Sequence, residues 1–358
     1  RGHGAAGSRS ANAESPPRGG ETRGEGDASR RGEARLVSAA GQTGVFDRLV
    51  AAAVPFVPAP VVRRLGAPYV AGLTLDDALR AVAALCADGL EVTLDILGEH
   101  VADRAAAAAA ADAYVATLEA LQAEGLDGHV SVKLSGLGYS LGLDVVHKGV
   151  SRIVRRAEEL GSFVRLDMED SSMTSDTLAL YRDLRAAGYD RVGVVLQARL
   201  WRTAADVEAL ASLRPNVRLC KGIYLEPASV ALQDREAIRR NFSRLLRHLL
   251  RAGSYVAVAT HDETLVLDAL DAADEAGAGA DDFEFQTLLG VRSDLARLLA
   301  RDHRVRVYVP FGADSFAYAQ RRLRENPQIA GYVARDLIRD TARAVRSLTD
   351  HRRGGEAP

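Results

Sequence analysis

Eight short apolar segments recur along this chain with helix-forming stretches between them, and that rhythm limits the fold more than any other feature. They are EVTLDIL from Glu91, HVSVKL from His129, FVRLDM from Phe163, GVVLQAR from Gly193, VRLCKG from Val217, SYVAVAT from Ser254, FEFQTLL from Phe283 and VRVYVP from Val305. Strands separated by helices at intervals of roughly 25–40 residues pair in parallel and need helices to cover the sheet. Eight such units predict a (β/α)8 barrel of the TIM type. A doubly wound sheet is the alternative, but it would usually need fewer strands and a Gly-rich first turn. The stretch REAIRRNFSRLLRHLLRAG shows the helical half of the rhythm: Ile238, Phe242, Leu245, Leu246 and Leu249 form one apolar stripe, and Gly253 supplies a stop.

The flanks read differently. Residues 1–34 are rich in Gly, Ser, Arg, Glu and Pro and almost free of large apolar groups, so they are expected to be a disordered tail. A literal G-x-G-x-x-G at Gly2–Gly7 has no strand before it and no helix after it, and is read as accidental. Residues 35–90 are expected to form an N-terminal helical arm, within which Thr74 precedes LDDALRAVAALCADG as an N-cap with two acids in the first turn. The barrel is expected over 91–345, ending in a lid helix, with 346–358 a frayed tail. A net charge of -2 gives no basic field for nucleic acid. Two cysteines, Cys86 and Cys220, make no disulfide framework and fit a reducing cytoplasm. The longest apolar runs, Leu49–Val62 and Ala105–Ala111, fall short of the roughly 20 residues that span a bilayer, and no secretory signal is evident.

In such barrels function collects at the C-terminal ends of the strands. Those ends are unusually polar here: Asp95 and Glu99, Lys133, Asp167 with Glu169 and Asp170, Gln197, Arg218 with Lys221 and Tyr224, Thr260-His261-Asp262, Glu284 and Gln286, then Tyr308. After the last strand, YVPFGADSFAYAQRRLRENP carries Tyr318, Arg321 and Arg322. Singly, each has a plain reading: Lys133 as a strand-end lysine reaching solvent, Asp167 and Glu169 as rim acids, His261 as a satisfied structural histidine, the arginine pair as a solvated helix face. Together, at equivalent strand ends, they must pair with one another or with ligands, because lone buried charges are prohibitively costly. Neighbouring helix residues differ by about 100° in direction, so Arg321 and Arg322 can flank one ligand, while Tyr318 shares the face of Arg321. Guanidinium groups bind carboxylates in two places. This arrangement predicts a small anionic substrate held by its carboxylate, with Glu99 balancing the excess positive charge.

At this point the motifs VTLDILGE, VSVKLSGLG, VRLDMED, VVLQA, RLCKGIYLEP, VATHD, FEFQTLLGV and RVYVPFG…YAQRRLRENP resemble, in order, those of the proline dehydrogenases, over roughly residues 45–345. The resemblance implies a distorted (β/α)8 barrel that binds FAD, oxidises L-proline to 1-pyrroline-5-carboxylate and passes electrons to a membrane quinone. It implies that Lys133, Arg321 and Arg322 hold the proline carboxylate, with Glu99 paired to Arg321, and that Tyr224, Leu288, Tyr308 and Tyr318 wall the ring. Arg218 would lie near flavin N5 with Asp167 as the adjoining catalytic acid, and Met168, Gln197, Lys221, Gly222, Ile223, Thr260 and His261 would contact FAD together with Arg218. Arg199, Cys220 and Ile223 depart from the residues more usual in the family, and Arg199 falls at the FAD edge. The chain is too short for the fused aldehyde dehydrogenase of bifunctional relatives, so a separate pyrroline-5-carboxylate dehydrogenase is expected downstream. A cytoplasmic enzyme in transient contact with the membrane surface follows from the same resemblance. Two rivals remain at this level: a Schiff-base aldolase using Lys133 or Lys221, and a non-enzymatic amino-acid-binding barrel. No metal site is expected.

Overall fold

The computed structural model describes residues 66–98, 101, 103–315 and 318. The expected tail at 1–34, most of the arm, Glu99, Arg321, Arg322 and the tail at 346–358 lie outside the described residues.

The eight strands are all present: β1 (Glu91–Ile96), β2 (Gly128–Val132), β3 (Val164–Leu166), β4 (Val192–Gln197), β5 (Asn216–Cys220), β6 (Tyr255–Ala259), β7 (Phe283–Leu288) and β8 (Val305–Phe311). They close as a parallel barrel in sequence order, with β1 sealed against β8 from Glu91↔Arg306 to Ile96↔Phe311. The helices are α1 (Leu75–Ala87), α2 (Arg104–Ala123), α3 (Leu143–Leu160), α4 (Thr174–Ala186), α5 (Thr203–Leu210), α6 (Arg235–Arg251), α7 (Glu263–Ala276) and α8 (Ser293–Leu299). Helix α1 precedes the first strand and each later helix follows one, which is the (β/α)8 order. Helix α1 begins where its sequence dictates. The Thr74 side chain accepts from the Asp77 amide, and Asp77 reaches back to the Thr74 amide, a capping box. In α6 the Asp234 carboxylate accepts from Ala237 N at 2.7 Å, and Ile238, Phe242, Leu245, Leu246 and Leu249 form the buried face.

Strand alternation divides the strand residues into two sets. Val92, Leu94, Val130, Val132, Val164, Leu166, Val217, Leu219, Val256 and Val258 are buried and join the helices in one apolar cluster. The intervening residues are Thr93 and Asp95, Ser131, Arg165, Arg218, Glu284 and Gln286, and Arg306 and Tyr308. Hydrogen bonds from Arg218 on β5 to Ser131 on β2 and Gln286 on β7 cross the barrel, so this set fills its interior. The interior is therefore a layered polar network, where barrels of this type usually pack branched apolar residues.

Two strands are shorter at their C-terminal ends than their apolar patterns suggest. β2 stops at Val132 and β3 at Leu166, so Lys133 and Asp167 stand just beyond the ladder. Their backbones turn into loops while their side chains remain over the barrel mouth.

Candidate active site

A cavity of about 480 Å³ opens at the C-terminal ends of the strands, within the size range of small-molecule sites. Every described residue to which the resemblance gave a role lines it: Lys133, Asp167, Met168, Gln197, Arg218, Lys221, Gly222, Ile223, Tyr224, Thr260, His261, Leu288, Tyr308 and Tyr318, whereas Asp95, Asp170 and Glu284 of the polar strand-end set do not. Glu99, Arg321 and Arg322, the remainder of the set, lie outside the described residues.

One end of the cavity floor is a chain of charge-assisted contacts. Lys133 Nζ donates to Asp95 Oδ1 at 2.5 Å and to the Tyr308 hydroxyl at 3.2 Å. That hydroxyl donates to Asp167 Oδ2 at 2.8 Å, and Asp167 Oδ1 accepts from Arg218 Nη1 at 2.6 Å. Arg218 also donates from Nη2 to Ser131 Oγ at 2.9 Å and from Nε to Gln286 Oε1 at 2.5 Å. Its guanidinium is thus gripped on three sides and fixed in plane. Burial, then the Asp167 charge, pushes the Tyr308 phenol well above its ordinary range, so it stays a neutral donor. Lys133, Asp167 and Arg218 are all buried, which settles the solvent-facing reading of Lys133 against itself.

The network continues downward. Gln286 Nε2 donates to Glu284 Oε1 at 2.5 Å, and Glu284 receives Arg306 Nε at 3.1 Å and the Tyr255 hydroxyl at 3.0 Å. Burial raises the Glu284 carboxyl, but Arg306, Gln286 and Arg165 together hold the group below its usual value. Arg165, bonded to the Asn216 backbone and side chain, is brought down to about 9 by burial and by repulsion from Arg218.

A second end of the cavity offers donors and acceptors to a larger ligand. Gln197 Nε2 donates to the Met168 and Glu169 carbonyls at 3.3 and 2.6 Å, which fixes which end of the amide is nitrogen. Its Oε1 is buried without a hydrogen-bond partner. Gly222, at φ +94°, sits beside it, and a Cβ there would fall 2.6 Å from that oxygen. Backbone thus comes close to the cavity at a point where any side chain would fill it. Lys221 Nζ and Arg239 Nε converge on Asp262 Oδ2 at 2.9 and 2.7 Å. Although burial opposes it, these cations keep Asp262 below its usual value. His261 Nε2 accepts the Leu288 amide at 2.9 Å, leaving the ring proton on Nδ1. Burial, then Lys221 and Arg292, pull its pKa down to about 4, so the imidazole is neutral at physiological pH. The plain structural reading of His261 is therefore half right, since it holds the backbone of Leu288 while also lining the cavity. Arg199 donates from Nη1 to the Tyr224 carbonyl, tying β4 to the loop that carries the Tyr224 side chain.

Several contributors had not been assigned a role from sequence: Asp95, Ser131, Glu169, Asp262 and Gln286. Asp262 and Gln286 occupy the same strand ends as the named residues, and period-2 alternation from Glu284 places Gln286 on the interior face. Ser131 carried no signal, since a strand serine is as common outside a site as in one. Among the described residues, no group of three or more His, Cys, Asp or Glu could hold a metal ion, and no helix is long and apolar enough to cross a membrane.

Comparison with known proteins adds an independent line. The family model described as proline dehydrogenase matches residues 78–335. The chain is similar to a proline dehydrogenase of Deinococcus radiodurans, 41% identical over 276 residues, covering 76% of this chain and 89% of that protein. It is also similar to proline dehydrogenase 1 of Bacillus subtilis, 36% identical over 278 residues, covering 77% of this chain and 92% of the relative. Among solved structures, proline utilization A from Bdellovibrio bacteriovorus inactivated by N-propargylglycine superposes with a TM-score of 0.68 at 23% identity, over 74% of this chain and 33% of that one. A Bradyrhizobium japonicum proline utilization A variant gives 0.63 at 23% identity, over 75% and 32%. The chain spans about a third of each of those structures, which share its fold.

Proposed function

The chain belongs to the proline dehydrogenase family, and on that premise we propose that it oxidises L-proline to 1-pyrroline-5-carboxylate with FAD, delivering the electrons to a quinone. The observation that carries this reading is the cavity, in which an oriented Arg218–Asp167–Tyr308–Lys133 network adjoins an unpartnered acceptor at Gln197 and a glycine cradle at Gly222. These residues fit FAD. Gln197 Oε1 needs a donor, which the isoalloxazine imide carries, and Lys221 and Thr260 offer donors on the same wall. Met168, Ile223 and His261 complete the lining, and Gly222 leaves room for close approach. Bound there, FAD supplies the two-electron acceptor for oxidation of the ring's carbon–nitrogen bond.

The protein's part is orientation and electrostatics. Lys133, with Arg321 and Arg322, holds the substrate carboxylate, and Glu99 pairs with Arg321 as the site closes. Tyr224, Leu288, Tyr308 and Tyr318 enclose the ring and exclude water. A ring fixed by its carboxylate reacts as one half of an oriented pair, which replaces an encounter by an effectively unimolecular step. Arg218, locked by three acceptors, stabilises negative charge developing beside it without having to reorient. Asp167 keeps Arg218 and Tyr308 in register.

The aldolase alternative is weakened by the lysines themselves. Lys133 is held by Asp95 and Lys221 by Asp262, so each amine is engaged by a carboxylate and not poised to attack a carbonyl. Anaerobic addition of L-proline to the FAD-loaded protein should bleach the flavin bands, with D-proline and hydroxyproline much slower. A protein that acquires no flavin absorbance after incubation with FAD would sink the reading. Replacing Arg321 or Arg322 with Met should raise the proline KM while FAD stays bound.

A further inference from the structure

Asp95 has no assigned part in the reaction, yet it is the most completely enclosed charge at the site, with 0% of its surface exposed. It sits on β1 opposite Ser131 of β2 and Pro310 of β8. One carboxylate oxygen meets Lys133 Nζ at 2.5 Å, and the other is buried without a hydrogen-bond partner. A carboxylate kept in this state is costly unless it compensates another charge. The groups around the pair leave it one candidate. Asp167, beyond β3, is committed to Arg218 of β5 at 2.6 Å. Tyr308 of β8 donates to Asp167. Tyr114 of α2 is held far above its ordinary range by burial and then by the Asp95 charge, so it stays neutral. Lys133 is the cation that Asp95 neutralises.

We propose that Asp95 is a positioning residue acting through Lys133: it is the counter-ion that keeps the Lys133 amine charged inside the barrel, and so sets the pH range over which the cavity holds a carboxylate. This inference rests on the reading of Lys133 as a contact of the substrate carboxylate. The physical reason is desolvation, since a buried lysine without an opposing charge loses its proton several pH units below its value in water. The Asp95 carboxyl is itself raised by burial, with Lys133 pulling it back, and the two charges stand or fall together.

The test uses the full-length, FAD-loaded protein and cyclopentanecarboxylate, which has the ring and carboxylate of the substrate but no amine. Its affinity is followed by calorimetry between about pH 6.5 and about pH 9, where the probe is ionised throughout. Wild type should vary by less than about twofold, whereas Asp95→Asn should lose about tenfold or more as pH rises and Lys133 sheds its proton. Lys133→Met should bind weakly at every pH, and adding Asp95→Asn to it should change nothing further. A flat profile in Asp95→Asn, or an effect of that change that persists in the Lys133→Met background, overturns the proposal. Failure of wild type to bind the probe, or unaltered binding by Lys133→Met, overturns instead the reading of Lys133 on which it stands. Should Asp95→Asn not fold, the double variant, which buries neither charge, should recover the fold, and its failure to do so would also refute the idea.

Discussion

Replacing Gly222 with alanine tests the cofactor end of the cavity, and its cost can be worked from the geometry. At φ +94° an added Cβ would lie 2.6 Å from Gln197 Oε1 and 2.8 and 2.9 Å from Arg199 Cδ and Cγ. The left-handed backbone alone costs an L-residue about 1–2 kcal/mol. Neither neighbour gives way freely. Gln197 is held by its amide to the Glu169 carbonyl at 2.6 Å, and Arg199 by its guanidinium to the Tyr224 carbonyl. Loosening one of these bonds adds about 1 kcal/mol, for a sum near 2–3 kcal/mol. At about 1–2 °C per kcal/mol for a protein of this size, Tm should fall by about 2–6 °C. Gly161→Ala is the control: its φ is +68° with nothing within 4 Å of the added atom, so it carries the backbone cost alone. Thermal melts by circular dichroism read the stability, and quenching of flavin fluorescence reads FAD affinity. Gly222→Ala should weaken FAD by about tenfold or more, equivalent to about 1.4 kcal/mol, while Gly161→Ala leaves it unchanged. Equal FAD affinity in both variants would refute the placement of the cofactor against Gly222.

Three further outcomes follow from the same contacts. Glu284→Gln leaves the buried Arg306 with Glu91 as its remaining carboxylate partner and should cost about 1–3 kcal/mol at neutral pH in chemical denaturation. Because the folded-state pKa of Glu284 is depressed, its stabilisation is present above the unfolded value and disappears as pH falls through the folded one, so the gap between wild type and variant should close in acid. Under the proposed function, in which Arg218 stabilises charge in the transition state, Arg218→Met should lower the rate of flavin reduction by about 100-fold or more in stopped-flow mixing with a much smaller change in KM. Thr74→Ala, which removes the α1 capping box, should cost about 1 kcal/mol and leave proline turnover unaltered.

The barrel was legible because its outward-facing residues obey simple rules. Val, Leu and Ile alternate with polar residues on the strands, helical stripes separate them, and the two periods can be read without knowing any partner. The strand ends were legible as a polar set for the same reason. What the sequence could not provide was pairing. Nothing in VTLDIL says that Asp95 reaches Lys133, because register between β1 and β2 depends on how the whole barrel closes. The same holds for Arg199, which reads as a departure at the cofactor edge and turns out to tie down the backbone of Tyr224. The ends of β2 and β3 were blurred because Lys133 and Asp167 continue the alternating pattern past the last paired residues, Val132 and Leu166, and periodicity does not register where pairing stops.

The pairing also constrains how the site can bind its substrate. Lys133 is matched by Asp95, Arg218 by Asp167, and Arg306 by Glu284 and Glu91, each in direct contact. These three cations of the barrel floor are therefore each matched by an acid before any ligand arrives. Such a floor can orient a zwitterion through fixed donors, but it offers an incoming carboxylate little net attraction, since each cation is already shared with an acid. Further cations line the cavity, among them Lys221, Arg235 and Arg239, and the proposed function adds Arg321 and Arg322. On the proposed reading Lys133 shares the carboxylate with the arginine pair, whereas Arg218 and its three acceptors act on the reacting ring. Substitutions should then separate kinetically, those at Lys133, Arg321 and Arg322 acting on KM and those at Arg218 on the rate of the chemical step.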